Sequence, residues 1–143
     1  MNVDEILGYC GLYCGGCGAY QATAAGGGIE YEPGSVTTCC GCNSSELSLW
    51  CADCEIKTCA RETGVRYCLE CEEFPCAKSR RFLDDARFPY HKDVPEMMAR
   101  LREVGLETWA EEQSEKWICT NCGSNFDWFS QRCPDCAVPL SEL

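Results

Sequence analysis

The chain has 143 residues, 16 of them cysteine, and a formal net charge of −11 at pH 7. That length allows one domain with a small appended module. So acidic a chain disfavours a phosphate backbone as partner, no stretch is long and apolar enough to span a membrane, and so much cysteine demands disulfides or metals.

Spacing favours metals. Cys14/Cys17, Cys51/Cys54, Cys68/Cys71, Cys119/Cys122 and Cys133/Cys136 are C-x-x-C pairs, and Cys39/Cys42 is a sixth. Two thiolates two residues apart can reach one ion from a tight turn. A disulfide framework belongs to secreted chains. Here the N-terminus, MNVDEILGYC, carries Asp4 and Glu5 and no apolar run of secretory length. The expectation is therefore a reducing, cytoplasmic setting.

Residues 1–20 hold the opening cluster, CGLYCGGC, with Cys10, Cys14 and Cys17 spaced C-x3-C-x2-C. Three such cysteines can carry a 4Fe–4S cluster with one open iron, as in radical enzymes that cleave S-adenosylmethionine. Those enzymes use α/β barrels, and a full barrel needs upward of about 200 residues, which excludes that chemistry here. A fourth ligand is open between Cys40, the single histidine His91, and water. Water would leave an open metal site and make an enzyme conceivable.

Residues 21–37, QATAAGGGIEYEPGSVT, read as a loop or a frayed short helix. The dense cysteine body follows over 38–76. Setting Cys40 aside, it offers Cys39, Cys42, Cys51, Cys54, Cys59, Cys68, Cys71 and Cys76, enough for two closed four-thiolate sites. A sequential division puts Cys39, Cys42, Cys51 and Cys54 on one ion and Cys59, Cys68, Cys71 and Cys76 on the next. A cross-braced division is equally compatible with the spacing. The segments CADCEIKTC and CLECEEFPC share C-x2-C-x4-C and predict a pseudo-symmetric pair of loops. Glu70, Glu72 and Glu73 line the second as solvated acids.

Residues 77–117 lack cysteine and read as helical. A short helix is predicted over Ala77–Ala86, with Lys78, Arg80 and Arg81 as a solvated basic face. Asp93 followed by Pro95 and Glu96 resembles a capping box. Val94, Met97, Met98, Leu101 and Val104 then recur at helical steps, and Gly105 is placed for a left-handed cap. Leu106, Trp109, Ala110, Gln113 and Trp117 continue as a second helix whose apolar stripe is ordinary core. The last stretch, WICTNCG and CPDCA, spaces Cys119, Cys122, Cys133 and Cys136 as a closed zinc ribbon, with Gly123 where a positive φ is needed. Rubredoxin-type iron suits the same sulfur tetrahedron, and the motif resembles the small tail of rubrerythrins without their Glu-x-x-His helices.

The expected fold is a small metal-stabilised α+β protein. An irregular cysteine-rich body (1–90) leads through a helical connector (91–117) to a zinc ribbon (117–143). CGLYCGGCGAY, the C-x-G-C at 39–42, and WCADCEIKTCARETGVRYCLECEEFPC resemble the bacterial and archaeal family of unknown function DUF 3795, whose helix-plus-ribbon tail the later residues also resemble. The resemblance implies clustered, metal-binding cysteines and no established activity. The leading expectation is a zinc protein of four ions, or three, whose structural sites support a regulatory role or docking of a protein partner. An iron–sulfur or iron–thiolate redox protein using Cys10, Cys14 and Cys17 is the alternative. An enzyme with an open metal there comes third.

Overall fold

The structure is a computed structural model that describes residues 3–140, apart from the side chains of Val3, Asp4, Tyr31, Leu49 and Trp50. The outermost residues of the predicted body and ribbon, 1–2 and 141–143, lie outside it. The helices are α1 (Val3–Ile6), α2 (Gly18–Ala24), α3 (Leu49–Ala52), α4 (Glu55–Thr63), α5 (Ala77–Leu83), α6 (Val94–Val104) and α7 (Leu106–Lys116), and the strands are β1 (Ile29–Glu32) and β2 (Ser35–Thr37). Three 3-10 turns lie at Cys14–Gly16, Cys68–Glu70 and Pro89–Asp93. The class is α+β, and none of these helices is long and apolar enough to cross a membrane.

Helices α6 and α7 form the base on which the cysteine body rests. Val94, Met97, Met98 and Leu101 recur at steps of three, one and three and turn one buried face of α6 inward. Trp109 and Ala110 of α7 meet that face, and Ile6, Leu7 and Tyr13 of the opening segment complete the core. Each such side chain, fully buried, contributes about 1.5–3 kcal/mol of hydrophobic stabilisation. Trp109 is fully buried. Its indole N–H donates to the Met97 carbonyl at 2.9 Å, and its ring meets Tyr13 edge-on at 5.9 Å. The opening cysteine segment is thereby fastened to the helical pair. A smaller core of Tyr9, Cys42, Ile56 and Ala60 holds α4 against the opening loop.

Four local expectations are revised. Residues 21–37 are not simply a loop, because after α2 the chain makes an antiparallel hairpin pairing Ile29 with Thr37, Glu30 with Val36 and Glu32 with Ser35. Ile29 and Val36 favour extended backbone, Pro33-Gly34 supplies the turn, and the Glu30 carboxylate accepts the Gly34 N–H at 3.0 Å. Helix α5 stops at Leu83 rather than Ala86, where Asp84 and Asp85 oppose the negative end of the helix dipole. Asp93 makes no side-chain cap, because the 3-10 turn at Pro89–Asp93 runs straight into α6 and holds Asp93 in helical backbone. Gly105 has positive φ but extended ψ (84°, 166°), so it bends the chain directly into α7 instead of forming a left-handed cap.

Candidate metal centres

The last module is built from two copies of one turn. Cys119 N–H donates to the Ser124 carbonyl at 2.8 Å, and Gly123 N–H returns to the Cys119 carbonyl at 2.7 Å. Cys133 N–H donates to Val138 at 3.0 Å, and Ala137 N–H returns to Cys133 at 3.0 Å. The two returning residues, Gly123 (φ 81°) and Ala137 (φ 62°), both have positive φ. Glycine was expected at the first position; at the second an alanine bears the same geometry, at a cost of about 1–2 kcal/mol.

These turns aim four thiols at one point. Cys119 Sγ lies 3.8 Å from Cys136 Sγ, and Cys122 Sγ lies 3.5 Å from Cys133 Sγ. With metal–sulfur bonds of about 2.3 Å, the edge of a sulfur tetrahedron is about 3.8 Å. The donor set therefore fits a single tetrahedral ion, and this group could bind one. At Cys136 and Cys122 polar hydrogens favour the thiolate form. The Asn121 amide at 3.3 Å, seconded by the Val138 N–H, pulls Cys136 down to about 6. The Ser124 hydroxyl and N–H hold Cys122 below the usual thiol range. That single hydroxyl proton is shared with Asp135 of the other turn, which ties the two halves together. Asn121 and Ser124 were not anticipated as contributors. Their signal lay inside the T-N-C-G-S run.

This group packs on the opening cysteine turn. Gln21 Nε2 donates to the carbonyls of Gly15 and Phe126, each at 2.8 Å, and Trp128 N–H donates to Gly16 at 3.2 Å. The Trp117 ring contacts Phe126 and Trp128 edge-on at 5.8 and 6.2 Å. Trp128 in turn stacks on Tyr90 at 4.5 Å.

None of the sixteen cysteines is in a disulfide. Among the described residues, only Cys119, Cys122, Cys133 and Cys136 bring three or more metal-ligating atoms within 4.8 Å of one another. The remaining thiols gather more loosely. Burial pushes Cys10 and Cys14 far up, Cys42 and Cys51 add to both, and Cys54 adds to Cys10. Cys10, Cys14 and Cys54 pack around the core that contains Cys42. Burial raises Cys17 as well, with Cys39 and Asp127 as its charged neighbours. Burial also takes Cys51 to about 11, with Cys39, Cys42 and Cys17 beside it. The opening three thus do not close on one another; they reach toward body thiols from later segments. Lys57, buried on α4, donates to the Cys42 carbonyl at 2.7 Å and with Arg66 offsets part of the upward push of burial on the Cys42 thiol, a contact that sequence spacing did not reveal.

Cys59, Cys68, Cys71 and Cys76 line one small cavity. The two C-x2-C-x4-C segments are not pseudo-symmetric in backbone. Cys59 lies within α4, whereas its counterpart Cys76 precedes α5. The physical reason is Pro75, which disfavours helix at Phe74. Cys40 turns its Sγ toward Glu46 Oε2 at 3.3 Å, and that hydrogen bond keeps the thiol protonated. His91, a candidate fourth ligand, has its Nδ1 committed elsewhere. It is buried, stacks on Phe82 at 3.8 Å and donates through Nδ1 to the Phe82 carbonyl at 2.8 Å. Glu70, Glu72 and Glu73 are exposed, as expected of solvated acids.

No curated protein and no solved structure matches the chain. The profile of the family described as protein of unknown function (DUF3795) matches residues 6–81, more than half of the 143 residues and all twelve of the opening and body cysteines. The chain therefore belongs to the DUF3795 family.

Proposed function

We propose that this is a zinc-binding protein in which Cys119, Cys122, Cys133 and Cys136 hold one structural ion, and in which metal-thiolate sites stabilise a surface that docks a protein partner. The supporting observation is the near-tetrahedral spacing of those four sulfurs, 3.8 and 3.5 Å across opposite pairs. Four thiolates fill the coordination shell of zinc and leave no position for substrate, so the ion acts by holding shape. The same tetrahedron accepts iron. We favour zinc because a closed four-thiolate shell with no position for substrate is the usual structural zinc arrangement. Metal–thiolate binding extends to the body cysteines, Cys40 apart, because too few aliphatic residues stand between Gly8 and Cys76 to form a core unaided. A partner for a chain of charge −11 carries a basic docking face.

Elemental analysis of protein purified without oxygen tests this reading. Zinc should fall by one ion per chain in the pair Cys122→Ser with Cys136→Ser, while the helical core keeps its thermal transition. Iron in that position, with zinc absent, would reject it.

A further inference from the structure

Cys59, Cys68, Cys71 and Cys76 line a partly open cavity of about 30 Å³ whose other walls are Ala60, Thr63, Val65 and Phe74. A water needs about 10–15 Å³ of such space, so the thiols stand round a void larger than one water. That is the opposite of the last module, where the sulfurs already meet at tetrahedral distance. No three of these four sulfurs lie within 4.8 Å of one another. A lone ion at about 2.3 Å from each sulfur requires all four sulfurs to close to about 3.8 Å. A group several ångströms across, ligated at four corners by thiolate, suits sulfurs that stand round a void rather than meet at one point.

The walls support the same occupant. They are largely apolar, which suits a cluster sheltered from water and oxygen. Cys59 is held by α4, Cys68 and Cys71 by the 3-10 turn and its cap, and Cys76 by the start of α5, so three separate backbone elements fix the four corners. At one corner the Ser79 and Lys78 N–H groups point at Cys76 sulfur, while the Ser79 hydroxyl donates to the Cys76 carbonyl at 3.0 Å. Hydrogen bonds to ligating sulfur are how a protein tunes such a cluster.

We infer that Cys59, Cys68, Cys71 and Cys76 bind a 4Fe–4S cluster, a site distinct from the zinc group at Cys119–Cys136 and independent of it. Assembly is ligand exchange. Each S–H bond breaks, its proton leaves to solvent, and an Fe–S bond forms. Two ferrous and two ferric ions with four sulfides supply the cubane, no electron is transferred, and the ligated cluster carries a net charge of about −2.

The test is anaerobic reconstitution of the full chain with ferrous and ferric iron and sulfide, followed by absorbance, iron and acid-labile sulfide assays. Brown protein absorbing broadly near about 400 nm is expected. The variant Cys68→Ser with Cys71→Ser should contain about four fewer irons and sulfides than wild type. The variant Cys122→Ser with Cys136→Ser should keep them, so that failure here and failure of the zinc reading are told apart. Because the first variant can misfold, thiol alkylation with mass-spectrometric readout is applied to the wild-type chain. Cys59, Cys68, Cys71 and Cys76 should be protected in brown protein and become labelled when the cluster is bleached. Equal iron in wild type and the first variant, or protection of the same four thiols by a single zinc in colourless protein, overturns the inference.

Discussion

Gly16 lies between Cys14 and Cys17 with its Cα pressed on the Trp117 ring. A Cβ built there would stand 2.7 Å from Cε2, 2.9 Å from Nε1 and 3.1 Å from Cδ2. Carbon atoms in contact settle at about 3.5–4.0 Å, so Gly16→Ala must displace the ring by about 1 Å. The ring has little room to give, being bounded by Phe126 and Trp128. Overpacking of this kind costs about 1–3 kcal/mol. Reduced unfolded-state entropy returns about 0.4–1 kcal/mol, since the glycine's φ is one alanine adopts. The net expectation is a loss of about 1–2 kcal/mol. With a urea slope of about 2 kcal/mol/M, the unfolding midpoint should fall by about 0.5–1 M. Far-UV circular dichroism at fixed metal content measures it. Gly27→Ala is the control, because the nearest atom to its Cβ is 3.8 Å away, and it should be neutral or slightly stabilising. Trp117→Leu should relieve the clash, giving a coupling of about 1 kcal/mol in the double-mutant cycle. An unchanged midpoint for Gly16→Ala, or strict additivity with Trp117→Leu, would refute the packing argument.

Ala137 bears positive φ in the second metal turn, so Ala137→Gly should raise the stability of the last module by about 0.5–1 kcal/mol, read as slower zinc loss to a chelator. Trp109→Phe removes the bond to Met97 and leaves a void, and should cost about 2 kcal/mol in denaturant unfolding. Burial lowers the His91 pKa, against the raising influence of the Phe82 carbonyl and Asp85. The unfolded chain therefore takes up a proton before the folded one does. Stability from this residue is full above the unfolded value of about 6.5 and is lost as pH falls below it. His91→Gln should flatten that part of the pH profile at constant metal content.

The parts legible from sequence were those set by neighbours along the chain. The C-x-x-C turns at Cys119 and Cys133 carry their own hydrogen-bond pattern, so spacing and Gly123 sufficed. Helices α6 and α7 were legible because Val94, Met97, Met98, Leu101 and Trp109 mark one apolar face. Which thiols meet was not legible. That depends on tertiary approach, as when the Cys42 N–H reaches Cys14 sulfur across 28 residues of chain. Cys59 joining Cys68, Cys71 and Cys76 is compatible with the sequential division, yet the loop echo misread its backbone, since Pro75 separates two segments of equal spacing. Lys57 gave no sign that it would be buried beside Cys42. The hairpin at 29–37 was masked by the glycines before it.

The Gln21 amide spans the Gly15 and Phe126 carbonyls, the first belonging to the opening thiol turn and the second to the final one. Whatever loosens the tail therefore deprives the head of a strut, and order at either end is felt at the other. Filling the final thiol group should thus stiffen the opening turn, and a chain truncated before it forfeits that help.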